Sequence, residues 1–208
     1  EQGAGDAAAG LASAGLTPFI GTYCGFLTMR ACEQMRTFVG YTNLNVKFVG
    51  VNAGLLGGER EGVTHQFYED LGIVSSMPNY TIFTPADPAQ CYHAVRLAAE
   101  TDGPVYIRGG SGREVDVYDK NAPFAKSGIT VWKDYGTDAV LFSNGYVLDR
   151  VLAAADLLKE QGSRRRQYPL WQGSLRHFGG HGQSPAAVYR GGSQYQRWPG
   201  FLYQPSGL

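Results

Sequence analysis

Short apolar runs that alternate with helix-like segments are the feature that most restricts the fold of this chain. The runs are TPFIGTY (17–23), VKFVGV (46–51), YTIFTP (80–85) and PVYIRGG (104–110). Strands separated by helices of this length form a parallel sheet with helices on both faces. We therefore predict an α/β fold of three layers. Ligands of such folds bind in the loops at the carboxyl ends of the strands.

The segments between the runs have helical composition or periodicity. They are residues 1–15, 26–41, the stretch that follows Thr64 and residues 88–100. The first is rich in small residues and is expected to pack closely on a neighbour before Gly15 ends it. In the second, the loosely spaced apolar positions are Phe26, Met29, Met35 and Phe38. In the third, Thr64 is expected to be the N-cap of a helix that starts at His65.

The chain changes character after residue 113. We predict a first domain at 1–113, truncated at its N-terminus, and a polar linker at 114–127. Residues 128–162 then contain an apolar strand, a turn at Ser143 to Gly145 and an amphipathic helix. These elements predict the beginning of an incomplete second α/β domain.

Charge and cysteine content exclude several classes of protein. The 18 acidic and 18 basic residues give a formal net charge of zero, which does not indicate a nucleic-acid or anionic-membrane surface. No apolar run is long enough to span a bilayer, and no basic-then-apolar leader is present. Three scattered cysteines without C-x-x-C spacing indicate neither zinc nor a disulfide framework. We expect a cytoplasmic protein.

Polar and aromatic side chains at the predicted strand ends are the candidates for chemistry. They are Glu1, Tyr23, Phe26, Arg30, Asn52, Glu61, His65, Arg108 and Arg113. GAGDAAAG at residues 3–10 lacks the preceding strand and the lysine of a phosphate loop. For His65, the residues alone leave open a structural role at the start of a helix.

Five segments resemble the pyrimidine-binding region of transketolase-family proteins, in family order. They are EQGAGDAAAGLASAGLTPFIGTY-CGF, YTNLNVKFVG, NAGLLGGEREGVTHQ, PADPAQCYHAV and GPVYIR. The resemblance covers residues 1–162 and is strongest to the separate C-terminal subunit of split transketolases. The combination of T-H-Q, an upstream G-E and an opening E-Q carries its specificity.

The resemblance implies thiamine diphosphate as the cofactor. Glu1 corresponds to the catalytic glutamate that hydrogen-bonds the cofactor's pyrimidine ring. Tyr23 and Phe26 correspond to the aromatic residues that line the pyrimidine slot, with Phe26 as the stacking partner. His65 corresponds to the catalytic histidine that faces the substrate and can hydrogen-bond or protonate a developing alkoxide.

The same resemblance implies a sugar-phosphate substrate, although this chain departs from the family at several positions. Asn52 stands where many transketolases have a second histidine, and Glu61 stands where an aspartate commonly binds a sugar hydroxyl. The phosphate-binding arginine after the YIR strand is displaced in register. Arg113 is the candidate for that role, Arg108 is a structural alternative, and Ser111 occupies the nearest aligned position.

The family's diphosphate and Mg²⁺ are bound by another domain, with a G-D-G…N motif that this sequence lacks. The resemblance therefore implies a diphosphate-binding domain or subunit as partner, within a homo-oligomer or heterotetramer. We expect the isolated chain to be inactive. Two other thiamine-dependent classes remain alternatives, namely deoxyxylulose-phosphate synthase and the beta-type subunit of 2-oxoacid dehydrogenases.

The tail at 163–208 has two interpretations. All acidic residues precede Ser163, whereas six arginines follow Gly162. The segment YRGGSQYQRW could bind RNA, which would make the chain a non-catalytic binding module. Reading the possible codons one nucleotide downstream instead permits T-V-E-D-H-N-I-N-G-G-L-G-S at 189–201, a stretch very similar to transketolase C-terminal domains. We favour a frame-shifted, disordered tail.

Overall fold

The computed structural model describes residues 1–55, 61–122, 124, 132–135, 140–161 and 166–167 of the 208-residue chain. Its main sheet contains four parallel strands: β1 (Phe19–Tyr23), β2 (Lys47–Val51), β3 (Thr81–Phe83) and β4 (Val105–Arg108). The strand order is β1-β2-β4-β3, with β4 in register with both β2 and β3. All four strands were predicted, and each connection crosses over because the strands are parallel.

Helices cover both faces of this sheet. They are α1 (Gln2–Ser13), α2 (Cys24–Arg30), a π-helix (Gln34–Gly40), α3 (Asp70–Ser75) and α4 (Pro88–Ala99). Phe48, Ile82 and Tyr106 point into a core shared with α1, α2, α3 and the π-helix. Phe83, Val105 and Ile107 point into a second core with α4. This alternation confirms the predicted three-layer α/β fold.

The first helix packs as its small residues predict. Its buried positions are Gly5, Ala8, Ala9 and Ala12, and a Cβ at Gly5 would lie only 2.9 Å from Cβ of Gln34. The helix ends before Gly15, whose φ of 88° is accessible to glycine at little cost. Close approach of α1 to the π-helix therefore depends on the absence of a side chain at residue 5.

Residues 26–41, predicted to be helical, form two helical segments of different geometry. Helix α2 ends at Arg30, and the π-helix that follows changes which side chains face the core. Met35 and Val39 are fully buried, whereas Met29 and Phe38 are nearly half exposed. The hydroxyl of Tyr80 donates a hydrogen bond of 2.9 Å to the Met35 carbonyl, which satisfies a backbone group in the wider turn.

The predicted helix start at Thr64 and His65 is wrong. Val63–His65 form a single 3-10 turn, and α3 begins at Asp70. Between them, Phe67 is extended and its carbonyl accepts a hydrogen bond from the Gly54 amide. This bridge to the loop after β2 prevents residues 66–68 from continuing as a helix.

The start of α4 is fixed by a capping arrangement. One Asp87 carboxylate oxygen accepts a hydrogen bond from the Gln90 amide, and the Gln90 side chain accepts one from the Ala86 amide. The other Asp87 oxygen accepts hydrogen bonds from the amides of Val117 and Tyr118. One buried carboxylate thus joins the helix start to the segment that leaves the sheet.

Residues beyond 113 begin without regular secondary structure. In the described part of the predicted linker, 114–122 and 124, no helix or strand occurs. A second sheet of order β5-β7-β6 contains β5 (Lys133–Asp134), β6 (Val140–Leu141) and β7 (Arg166–Gln167). A 3-10 turn (Gly145–Val147) leads from β6 into helix α5 (Leu148–Glu160).

The predicted strand and helix of residues 138–162 correspond to β6 and α5. Strand β7 lies inside the tail that was predicted to be disordered, so a disordered tail does not account for these two residues. The remainder of 163–208, including the codon-shifted segment at 189–201, lies outside the described residues.

A search of the described helices finds none with the length and apolar character needed to cross a membrane.

Candidate active site

Three aromatic rings meet at the carboxyl edge of the main sheet. Tyr23 is the last residue of β1, Phe26 lies in the first turn of α2, and His65 ends the 3-10 turn. The ring centroid of His65 lies 4.8 Å from that of Tyr23 and 5.0 Å from that of Phe26, both in edge-to-face geometry. The structure therefore brings together three of the residues selected from the sequence.

Phe67 packs against the Phe26 ring of this cluster. Its ring centroid lies 5.4 Å from that of Phe26, and the ring fills the space above Gly25. A Cβ at Gly25 would come well under 3.0 Å from the ring, a distance that real Cβ contacts do not reach. This pair cannot be identified from the sequence, because a glycine next to Phe26 does not indicate which side chain packs against it.

Glu1 joins the same cluster through Arg30. An Nη atom of Arg30 lies 3.4 Å from a carboxylate oxygen of Glu1, and its guanidinium carbon lies 4.4 Å from the Phe26 ring centroid. The Glu1 side chain is 22% exposed and that of Arg30 is 60% exposed. The Arg30 guanidinium therefore contacts both the partly buried Glu1 carboxylate and the Phe26 ring.

The orientation of His65 is set by its neighbour in the chain. The hydroxyl of Thr64 lies 2.9 Å from Nδ1 of His65, within hydrogen-bonding distance. Since Nδ1 is engaged locally, Nε2 is the ring nitrogen that a ligand would meet. Thr64 thus acts on the histidine ring and not as the N-cap of a helix.

A buried ion pair lies directly after this segment. Asp70, the first residue of α3, is fully buried and accepts hydrogen bonds from Nε and Nη2 of Arg108 at 2.8 and 3.2 Å. It also accepts one from the Tyr106 hydroxyl at 2.8 Å. These bonds fix the end of the His65 segment to the central strand β4. Arg108 therefore has the structural role that the sequence allowed.

The pKa values of three groups are shifted in and around this network, namely those of Cys24, Tyr106 and Arg108. Burial, followed by the negative charge of Asp70, raises the pKa of the Cys24 thiol to about 12. Burial and Asp70 also raise the pKa of Tyr106 well above its ordinary value. For Arg108, burial alone would lower the pKa, but hydrogen bonding to Asp70 raises it. Cys24 is consequently a protonated, unreactive thiol at neutral pH.

Asn52, Glu61 and Arg113 occupy the loops around this edge. Asn52 has a φ of 56°, a conformation that asparagine adopts more readily than most residues, and its amide donates to the Gly110 carbonyl. Glu61 is exposed and precedes the 3-10 turn of His65, and Arg113 is exposed after β4. Their proposed contacts with a substrate remain predictions.

The loop after β4 contains a carboxylate that the sequence analysis did not select. Glu114 accepts hydrogen bonds from the amides of Ser111 and Gly112 at 2.6 and 2.9 Å. It thereby closes the loop in which Arg113 lies. Among the described residues, no group of three or more His, Cys, Asp or Glu side chains is arranged to hold a metal ion.

The fold is an α/β domain with a carboxylate, two aromatic rings and a histidine near the ends of its strands. A family comparison gives the class more closely, since the family described as "Transketolase, pyrimidine binding domain" matches residues 1–111. The chain belongs to this transketolase family.

Curated relatives agree with this assignment. The 6-deoxy-6-sulfo-D-fructose transketolase subunit SqwH of Clostridium sp. (strain MSTE9) is 35% identical over 155 residues, covering 74% of this chain and 48% of that protein. The 1-deoxy-D-xylulose-5-phosphate synthase of Rhodobacter capsulatus is 34% identical over 165 residues, covering 78% of this chain and 25% of the synthase.

A solved structure has the same fold. The protein titled "Split gene transketolase, inactive beta4 tetramer" is 35% identical and superposes with a TM-score of 0.74, covering 83% of this chain and 54% of that one. The present chain therefore spans about half the length of the transketolase subunits that it matches.

Proposed function

We propose that this chain is the pyrimidine-binding part of a transketolase-type enzyme that uses thiamine diphosphate to transfer a two-carbon ketol unit between sugar phosphates. The observation that carries the proposal is the convergence of Glu1, Phe26 and His65 at one strand edge. When bound, thiamine diphosphate supplies the nucleophilic carbon and accepts the electrons of the broken carbon–carbon bond.

The residues of this edge suit an aminopyrimidine. The Glu1 carboxyl group can share a proton with a pyrimidine ring nitrogen, and its partial burial limits competition from water. Phe26 and Tyr23 offer aromatic surface beside it, with ring centroids 5.8 Å apart. Glu1 would thus hold the proton at the ring nitrogen, while the aromatic rings hold the ring in place.

The surroundings of His65 support a role for this residue in contacting the substrate. Thr64 engages Nδ1, so Nε2 can donate to or accept from an oxygen of the reacting sugar. The rings of Tyr23 and Phe26 hold the imidazole beside the proposed pyrimidine position. A proton can then pass between Nε2 and the substrate oxygen without movement of the backbone.

Substrate contacts are proposed for three further residues. Asn52 and Glu61 would hydrogen-bond sugar hydroxyls, and Arg113 would bind a phosphate group. All three lie in loops at the carboxyl ends of strands, where this fold binds ligands. Glu114 closes the loop that carries Arg113 through its hydrogen bonds to the amides of Ser111 and Gly112.

The remaining parts of the site are proposed to come from elsewhere. We propose a diphosphate-binding domain or subunit as partner, with Mg²⁺ held there, and a homo-oligomer or heterotetramer as the assembly. Relatives named as a transketolase subunit, a transketolase C-terminal section and a split gene transketolase support this division. We further propose domain limits of 1–113 and 128–162, and a cytoplasmic location.

The experiment is reconstitution. The chain and a candidate subunit containing the G-D-G…N motif are purified together and assayed for ketol transfer across a panel of sugar phosphates. We expect activity only from the mixture with thiamine diphosphate and Mg²⁺, and loss of at least about 100-fold in Glu1→Gln. Turnover by the chain alone, or an unaffected Glu1→Gln variant, would refute the proposal.

A deoxyxylulose-phosphate synthase is the second candidate. Relatives with that name are 34–36% identical to this chain, which is as similar as the transketolase subunits. Chromatographic detection of 1-deoxy-D-xylulose 5-phosphate from the reconstituted enzyme, without ketol transfer, would favour it. For the RNA-binding alternative, retention on immobilised RNA that is lost on deletion of 163–208 is the corresponding test.

A further inference from the structure

The Arg30 side chain contacts both residues that the proposed function assigns to binding of the aminopyrimidine, Glu1 and Phe26. The guanidinium of Arg30 lies 4.4 Å from the Phe26 ring centroid, in the range of a cation–π contact. Its Nη1 atom also lies 3.4 Å from the carboxylate of Glu1. A pyrimidine that stacks on Phe26 and hydrogen-bonds Glu1 therefore competes with Arg30 for both partners.

A guanidinium shares the features by which this edge would recognise an aminopyrimidine. Both groups are planar, both stack on aromatic rings, and both present nitrogen atoms to a carboxyl group. We propose that Arg30 occupies the aminopyrimidine position in the cofactor-free chain and is displaced when thiamine diphosphate binds. This inference rests on the proposed function.

The surroundings of Arg30 allow its side chain to move while the site stays fixed. Arg30 is the last residue of α2, and its side chain is 60% exposed. The preceding residues Leu27 and Thr28 are fully buried, and the Thr28 hydroxyl bonds to the Cys24 carbonyl. Only the arginine side chain has to rotate, because the helix that carries Phe26 is anchored in the core.

We call the chain closed when Arg30 contacts Glu1 and Phe26, and open when it does not. Because only open chains bind the cofactor, the apparent affinity is the intrinsic affinity multiplied by the fraction of open chains. Only Arg30 is largely exposed in this arrangement, at 60% against 22% for Glu1, and a partly exposed ion pair and cation–π contact of this kind are both weak, so the closed state is favoured by roughly 3- to 10-fold. Arg30 would then keep Glu1 and Phe26 in their binding positions before the cofactor arrives, at a modest cost in affinity.

Calorimetric titration of thiamine diphosphate with Mg²⁺ into the complex of this chain and its diphosphate-binding partner tests the proposal. We expect Arg30→Met to bind the cofactor 3- to 10-fold more tightly than wild type, which corresponds to about 0.7–1.4 kcal/mol. Arg36→Met is the matched control. Arg36 is an exposed arginine of the π-helix that hydrogen-bonds Thr37, and its replacement should leave the affinity unchanged.

A second measurement follows Arg30 directly. The side-chain ¹⁵Nε resonance of Arg30 should shift when thiamine diphosphate is added, whereas that of Arg36 should not. Equal or weaker cofactor binding by Arg30→Met, or an unmoved Arg30 resonance at saturation, would overturn the displacement. If the wild-type complex binds no thiamine diphosphate, the proposed function falls and this inference falls with it.

Discussion

Adding one methyl group at Gly25 should destabilise the protein, because the site has no room for it. Gly25 lies in α2 with its Cα facing the ring of Phe67, and a Cβ there would approach three ring atoms to well under 3.0 Å. Phe67 cannot move aside freely. It is buried, bonded through its carbonyl to Gly54, and packed on Phe26.

The expected size of the effect follows from two opposing terms. Overpacking of a tight core costs about 1–3 kcal/mol, and an overlap with three atoms of a held ring lies at the upper end. Replacing a helical glycine by alanine contributes about 1 kcal/mol in the opposite direction. Gly25→Ala should therefore lower the free energy of unfolding by about 2 kcal/mol.

Gly72→Ala is the matched control. Gly72 also lies in a helix, α3, but apart from its chain neighbours and its own helix backbone no atom lies within 4 Å of the position that its Cβ would take. This substitution should raise the free energy of unfolding by about 0.5–1 kcal/mol. Urea denaturation of both variants gives the two values, provided that the m-value stays unchanged.

The Gly25 substitution should also disturb the site. Because Phe67 supports Phe26, and Phe26 contacts His65, displacement of the Phe67 ring should shift the His65 imidazole proton resonances. Gly72→Ala should leave them in place. A Gly25→Ala variant that is as stable as wild type, or that leaves the His65 resonances unmoved, would contradict this reasoning.

Three further effects can be measured. Asp70→Asn leaves the buried Arg108 without its counter-charge and should lower the free energy of unfolding by about 3 kcal/mol in urea denaturation. A loss below about 1 kcal/mol would show that the pair is not stabilising. The pKa of Cys24 is raised from 9.0 to about 12 in the folded state, so the folded protein holds the thiol proton more tightly than the unfolded chain does. The contribution of Cys24 to stability is therefore complete below pH 9 and is lost towards pH 12. A Cys24→Ser variant should therefore lose less stability than wild type over this range, and parallel pH curves would argue against it. Lys47→Met removes an ammonium group that donates to Asn45 and to the carbonyls of Thr101 and Gly103. It should lower the free energy of unfolding by roughly 2–3 kcal/mol, and an unchanged denaturation midpoint would refute this.

The sequence predicts those parts of the fold that depend on local pattern. The four strands of the main sheet coincide with the apolar runs, because a parallel sheet with helices on both faces buries most of its side chains, although the edge strand β1 stays partly exposed at Phe19 and Tyr23. Helix α1 ends at a glycine with positive φ, and α4 starts at an aspartate followed by proline. In each case the residues that set the boundary lie within a few positions of it.

The errors occur where distant contacts override the local pattern. The π-helix depends on Tyr80, which donates to a carbonyl 45 residues earlier in the chain. The late start of α3 depends on the bridge between Phe67 and Gly54. Lys47 lies in an apolar run, yet its ammonium group meets carbonyls more than 50 residues away. None of these partners can be identified from spacing along the chain.

The candidate site shows the same division. Glu1, Tyr23, Phe26 and His65 were selected from the sequence because a family motif marks them, and the structure brings them to one edge. Asp70 carries no such mark, because an aspartate at the start of a helix is ordinary in any protein. Only its burial against Arg108 shows that it fixes the segment of His65.

Hydrogen bonds to both oxygens of Asp87 attach the segment after β4 to helix α4. The Asp87 carboxylate connects the first turn of α4 to the amides of Val117 and Tyr118, and His93 of the same helix hydrogen-bonds the Lys120 carbonyl. Residues 114–120 therefore move with the sheet domain although they have no helix or strand. Phe124 continues this attachment, since its ring packs edge-to-face on Phe83 of the sheet, and slow amide exchange at Val117 and Tyr118 would show that the segment is held there.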